Sequence, residues 1–136
     1  MHIARIAAIV NPMSGAGMDP HAATHRVAML RDAFASRQIS ATIDLTAQSG
    51  HARELARAAV AAHADLVIVW GGDGTINEVG SELVGSSTAL GLIPAGSGNG
   101  LAGGLDLPRD PQAALATALS ERTRAVDVGM FDDRPF

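Results

Sequence analysis

Leu66-Val67-Ile68-Val69-Trp70-Gly71-Gly72-Asp73-Gly74-Thr75-Ile76-Asn77-Glu78-Val79 joins two different periodicities through a cluster of glycines. From Asp65 to Trp70 the chain is apolar after its first residue and rich in β-branched side chains, which predicts a strand covered on both faces. Beyond the glycines, Ile76, Val79 and Leu83 recur at helical spacing, so a helix with one apolar face follows. Thr75 and Glu78 have the T-x-x-E spacing of a capping box, which places the helix start one turn after the glycines, and Gly85 is the expected stop. Strand, glycine loop and helix in that order form the repeating unit of a parallel α/β sheet.

The unit recurs on either side. Ile3 to Val10 reads as a first strand that leads into the loop Asn11 to Gly17. Asp19-Pro20 then supplies a cap side chain and a fixed φ for a helix with Val27, Leu30 and Phe34 inward and Arg26, Arg31 and Arg37 toward solvent. Ile39 to Leu45 is a second strand, and Ser49 is a candidate cap for a helix with Leu55, Ala59 and Ala62 on its inner stripe. Ala89 to Ile93 is a fourth strand, followed by the loop Pro94 to Gly100 and a short helix ending near Leu107-Pro108. Asp110-Pro111 opens another helix, to about Glu121, and a fifth strand runs from about Arg124 to Met130. The expected fold is an open, mostly parallel, Rossmann-like α/β sheet with helices on both faces. Asp132-Asp133-Arg134 resembles a hairpin turn whose returning strand would begin where the sequence stops at Phe136, so an α/β domain over residues 1–128 is expected to precede a second, truncated domain starting at 129–136.

Composition limits the chemistry. The 136 residues are 47% hydrophobic and 18% charged, enough for one buried core. A net charge of -4 provides no broad basic surface for nucleic acid or anionic lipid. With no Cys, thiolate nucleophiles and cysteine-type zinc sites are excluded; with no Lys, so are Schiff bases and the GxxxxGK[ST] phosphate loop. The absence of Tyr, with three Phe and one Trp, argues against stacking platforms for single-stranded nucleic acid. No segment reads as a leader or a membrane-spanning helix, and a cytoplasmic protein is expected.

In an open parallel sheet, ligands bind beyond the carboxyl ends of the strands. All three glycine-rich loops fall there: Asn11 to Gly17, Gly71 to Thr75 and Pro94 to Gly100. Glycine lets the backbone approach a phosphate, and the helix start that follows offers N–H groups and a partial positive charge, so a lysine-free acidic chain can still hold a polyphosphate. A single such loop is as easily a tight connection; three on one edge point to a ligand. Asp73 sharpens the reading, because a carboxylate beside phosphates is repulsive unless Mg²⁺ lies between them or the carboxylate accepts a proton from an attacking hydroxyl. A plain Asp-Gly turn would not call for glycines on both sides. The remaining candidates read as structural: His21 and His25 at i, i+4 lack a third ligand, Arg53 and Arg57 form a solvated face, and Trp70 packs a helix on the sheet or borders an adenine site.

The string Gly71 to Val79 resembles the GGDGTxNEV motif of the diacylglycerol kinase catalytic domain family, which includes sphingosine kinases and soluble bacterial lipid kinases and is distantly similar to NAD kinases. Asn11-Pro12-Met13-Ser14-Gly15 is similar to that family's NPxSG loop, and Pro94-Ala95-Gly96-Ser97-Gly98-Asn99 to its PxGTGN loop. The resemblance covers nearly the whole chain. It implies ATP-dependent, Mg²⁺-assisted phosphorylation of a lipid hydroxyl, serving phospholipid biosynthesis, with peripheral contact at a membrane. By motif match, Asn11, Pro12, Ser14, Gly15, Thr46, Gly71, Gly72, Asp73, Gly74, Thr75, Asn77, Glu78, Gly96, Ser97 and Asn99 would lie around the nucleotide, with Asp73 also catalytic. The resemblance further implies a second, β-rich domain that carries the general base and metal-anchoring acids, so no metal ligand is assigned here and the isolated chain is expected to be inactive. Ser97 and Gly100 depart from the commoner threonine and aspartate, and Gly-Ser-Gly-Asn is similar to the sphingosine-kinase form of the loop. Three alternatives stand beside this: a sphingoid-base or NAD kinase-like enzyme, a non-catalytic nucleotide-responsive module, and a hydride-transferring enzyme, which would need the missing GxGxxG.

Overall fold

The computed structural model describes residues 2–13, 21–95, 107–121, 130–131 and 134–135. Strands β1 (Arg5–Val10), β2 (Ser40–Leu45), β3 (Leu66–Gly71) and β4 (Ala89–Pro94) form one sheet in the order β2-β1-β3-β4, and every pairing is parallel. Helices α1 (Ala22–Ser36), α2 (His51–Ala61) and α3 (Asp73–Leu83) lie between the strands in sequence, and α4 (Pro111–Ala118) follows β4. Met130–Phe131 (β5) and Arg134–Pro135 (β6) pair antiparallel as a separate ribbon.

The side-chain period of 2 in the strands sorts the core into two layers. Ile6, Ala8, Val10, Leu66, Ile68, Trp70 and Ile93 pack with Leu30 and Phe34 of α1 and with Ala114 and Leu115 of α4. The opposite face, with Ile9, Val67, Val69 and Leu92, packs against Ala52, Ala56 and Ala59 of α2 and Ile76, Val79 and Leu83 of α3. All six residues of β3 are buried, as a strand covered on both sides requires. Gly91 admits α4 to this packing: a Cβ built there would lie 2.8 Å from the Ala118 Cβ and 3.4 Å from Ile68 Cγ1. Gly91→Val should therefore lower the urea midpoint, with a loss of about 1–3 kcal/mol from overpacking.

Asp65 fastens the amino-terminal edge of the sheet. Its Oδ2 accepts the N–H of Ala4 at 2.9 Å and of Arg5 at 2.8 Å. Its backbone joins β1 and β4, since Asp65 N–H donates to Arg5 O and Ala89 N–H to Asp65 O. The bonds from Ala4 and then Arg5 hold the carboxyl below its ordinary pKa. The folded value is the lower one, so this stabilisation is complete above the unfolded carboxylate pKa of about 4 and disappears as pH falls through the folded value. Stability measured from pH 6 to pH 2 should accordingly fall less steeply in Asp65→Asn than in the parent chain; an identical acid limb would refute this assignment.

Several local expectations need correction. α3 begins at Asp73 with Gly72 as its N-cap and no side-chain cap bond, so Thr75 and Glu78 do not form a capping box. Gly50, in the left-handed region at φ +89°, caps α2 in place of Ser49. On that helix Ala52 and Ala56 are buried, whereas Ala62 is exposed. Arg26, expected in solvent, is buried, and Val27 is only partly so. The cap at Asp110 holds, its side chain accepting Ala113 N–H at 2.9 Å. Asp19-Pro20, the short helix expected before Leu107 and all but Met130 of the expected fifth strand lie outside the described residues.

Candidate active site

β1 and β3 are neighbours in the sheet, while the chain leaves β1 toward β2 on one side and reaches β3 on the other. The crevice beyond their carboxyl ends is therefore the topological switch point, where two crossovers diverge. Strand ends are bound together there. Asn11 N–H donates to Trp70 O at 2.9 Å, Thr46 N–H to Val10 O at 2.8 Å and Ala95 N–H to Gly71 O at 2.9 Å. Loops far apart in sequence thus share one rim.

Asn11 ties the first loop to the second. Its Nδ2 donates to Thr75 Oγ1 at 3.1 Å, and its Oδ1 accepts Met13 N–H at 2.9 Å, closing an Asx turn around Pro12. Thr75 is buried, and its hydroxyl is thereby committed to the protein. Gly71 is required by that arrangement, because a Cβ there would stand 2.9 Å from the Thr75 Cβ. At Gly72 a Cβ would meet the Ala95 carbonyl at 3.0 Å, so the second and third loops also approach backbone to backbone.

The next two residues face outward. Asp73 and Gly74 are exposed in the first turn of α3, whose first helical bond runs from Ile76 N–H to Gly72 O at 3.0 Å. The amides of Gly74 and Thr75 precede that ladder, and the helix dipole adds partial positive charge at the same end. A Cβ built on Gly74 meets nothing within 4 Å among the described residues, and its φ is not in the left-handed region. Neither packing nor backbone conformation calls for glycine at this position.

The other expected site residues divide. Asn77 is exposed on the second turn of α3. The Glu78 Oε1 accepts Gly50 N–H at 2.6 Å and so holds the β2–α2 connection against α3. Thr46 closes the rim at the end of β2, and Pro12 sits half-buried after Asn11. Ser14, Gly15, Gly96, Ser97 and Asn99 lie outside the described residues. Arg53 and Arg57 reach Glu82 across the α2–α3 seam at 3.4 and 3.0 Å, and the Arg57 hydrogen bond leads the causes that hold the Glu82 carboxyl below its usual range. Among the described residues no three His, Cys, Asp or Glu side chains group as metal ligands, and the His21 and His25 ring centroids are 6.5 Å apart.

The residue that sequence reasoning missed is Arg26. Its Nη1 donates to Asn11 O at 2.7 Å and its guanidinium lies 5.3 Å from the Trp70 ring centroid. The signal was present, since Ala22, Arg26, Leu30 and Phe34 succeed one another at i+4 along the buried stripe of α1.

Residues 5–131 match the model of the diacylglycerol kinase catalytic domain. The chain belongs to that family. A diacylglycerol kinase of Mycobacterium tuberculosis is 35% identical over 96% of this chain and 41% of its own length. A protein of Chromohalobacter salexigens named "Probable lipid kinase YegS-like" is 45% identical over 69% of this chain and 32% of its own length. A crystal structure of a diacylglycerol kinase from Bacillus anthracis superposes with a TM-score of 0.84 at 29% identity, covering 100% of this chain and 46% of that one. This member of the diacylglycerol kinase family therefore spans less than half the length of the relatives it matches. The rim described above falls within the matched segment.

Proposed function

We propose that this chain is the nucleotide-binding part of an ATP-dependent lipid kinase that transfers the γ-phosphoryl group to the hydroxyl of diacylglycerol or a related lipid. The observation that carries the reading is Gly74, a helix-start glycine whose Cβ would meet nothing within 4 Å among the described residues, set beside the exposed Asp73 at the switch point of the sheet. In this reading the Gly74 and Thr75 amides meet phosphate oxygens, Asn11 and Thr75 hold the two walls in register, and Thr46 and the 94–99 loop border the nucleotide. Asp73 offers one carboxylate to Mg²⁺, an ion that needs few protein ligands because phosphates and water complete its shell. When bound, Mg²⁺ neutralises charge as phosphoryl transfer proceeds. Catalysis is then mostly positioning, which suits a rim built from backbone groups.

The relatives are more than twice as long, and in this reading the acceptor site and general base lie in a part of the protein that this chain does not span. The α/β domain over 1–128 accordingly holds the nucleotide, and residues from 129 on begin the second, β-rich domain. Alone, the chain binds Mg-ATP without turning it over, and the complete protein works in the cytoplasm with peripheral membrane contact. No described helix is long and apolar enough to cross a membrane. Titration of the chain with Mg-ATP and with NADH tests the nucleotide assignment: saturable Mg-ATP binding with weaker NADH binding is expected, and the reverse order refutes it. Radiolabel transfer by the complete protein to diacylglycerol, a sphingoid base and NAD tests the acceptor. The Gly-Ser-Gly-Asn run at 96–99 favours the sphingoid base as the second reading; label on NAD alone would reject both lipids.

A further inference from the structure

Arg26 occupies a place in the core that packing alone does not explain. It lies on the inner stripe of α1 between Ala22 and Leu30, where an apolar side chain would fill the space without desolvating a charge. Burial lowers its pKa, which shows that the environment opposes the charged form. Two of its contacts are specific: Nη1 donates to Asn11 O at 2.7 Å, and its Cζ lies over the Trp70 ring, 5.3 Å from the centroid. Both targets are strand ends at the rim, Asn11 directly after β1 and Trp70 one residue before Gly71.

From there the contacts continue. The Asn11 peptide accepts from Arg26 through its carbonyl and donates to Trp70 O, while its side chain donates to Thr75 Oγ1 and accepts Met13 N–H. One guanidinium therefore sets the tilt of the residue that aims the first loop and holds the first turn of α3. Building on the nucleotide reading above, we propose that Arg26 is a positioning residue: it locks the Asn11–Thr75 bridge so that Asn11 to Met13 and the α3 N-terminus present their backbone groups to phosphate in one fixed arrangement. It does not touch the ligand. Lysine would keep the charge and a donor, but it lacks the planar, delocalised guanidinium that stands over the Trp70 ring.

The test compares Arg26→Met, which keeps an unbranched stem and removes the donors, with Arg26→Lys. Two readouts are independent of nucleotide: hydrogen exchange at the Met13 amide, whose acceptor is Asn11 Oδ1, and the emission of Trp70, the single tryptophan. Faster Met13 exchange and a shifted Trp70 emission are expected in Arg26→Met under conditions where circular dichroism shows the same fold, with partial recovery in Arg26→Lys. Mg-ATP affinity should fall roughly tenfold in Arg26→Met. If the parent chain binds Mg-ATP and Arg26→Met binds it equally well, the positioning role is overturned and the nucleotide reading stands. If the parent binds no Mg-ATP, that reading fails and the positioning role fails with it. A double cycle with Thr75→Val settles the route: non-additive losses are expected, and fully additive losses would show that Arg26 acts elsewhere than through the Asn11–Thr75 bridge.

Discussion

Gly74→Ala should give a chain that is at least as stable as the parent and binds Mg-ATP roughly a hundredfold more weakly. The two effects have opposite signs because they have different origins. Alanine in a helical turn is favoured over glycine by up to about 1 kcal/mol, and the added methyl meets nothing within 4 Å among the described residues. The same methyl occupies the space into which a phosphate must come to reach the first-turn amides, and forfeiting two such charge-assisted hydrogen bonds costs about 3 kcal/mol. Thermal unfolding and calorimetric titration on one sample separate the terms. A chain that binds nucleotide normally with alanine at 74 would remove the observation on which the functional assignment rests. Gly72→Ala is the contrasting case, since its methyl would press on the Ala95 carbonyl at 3.0 Å and disturb the protein itself.

Asp73→Asn in the complete protein should depress phosphoryl transfer by at least roughly a hundredfold, with a much smaller change in nucleotide affinity. The amide is nearly isosteric and keeps an oxygen, so binding geometry survives, but the charge that balances Mg²⁺ and the capacity to take a proton are lost. Folding should survive the change, because the residue is exposed and its interaction with the α3 dipole contributes only about 0.3–1 kcal/mol. Initial-rate kinetics with varied Mg-ATP would show the loss in kcat. An unchanged kcat would leave Asp73 as a helix-start residue only.

The strands were legible because each is a short apolar run between breakers, and the observed Arg5–Val10, Ser40–Leu45, Leu66–Gly71 and Ala89–Pro94 lie within two residues of the expected bounds. The strand order was not legible, since hydrophobicity records burial and not neighbours. The loops that meet at the rim were identified as a group, and Asn11, Thr46 and Gly71 to Thr75 are brought together there. Finer roles escaped where a side chain has two uses. Thr75 and Glu78 match a capping pattern, yet tertiary partners, Asn11 and Gly50, claim them both. Arg26 was placed in solvent because charge normally dictates exposure, and that outweighed its place on the i+4 stripe; its carbonyl and aromatic partners come from other segments.

The order β2-β1-β3-β4 also governs how the protein is made. As the chain leaves the ribosome, β1, α1 and β2 emerge first and can pair at once, but the other flank of β1 waits for β3. That flank pairs Ile6 with Leu66 through Val10 with Trp70, so the chain must be synthesised as far as β3 before it is covered. Until then β1 presents a bare, apolar hydrogen-bonding edge, the kind of surface that captures a second nascent strand. Slow translation between Thr46 and Leu66 would prolong that exposure, and the yield of folded protein should depend more on this interval than on any other.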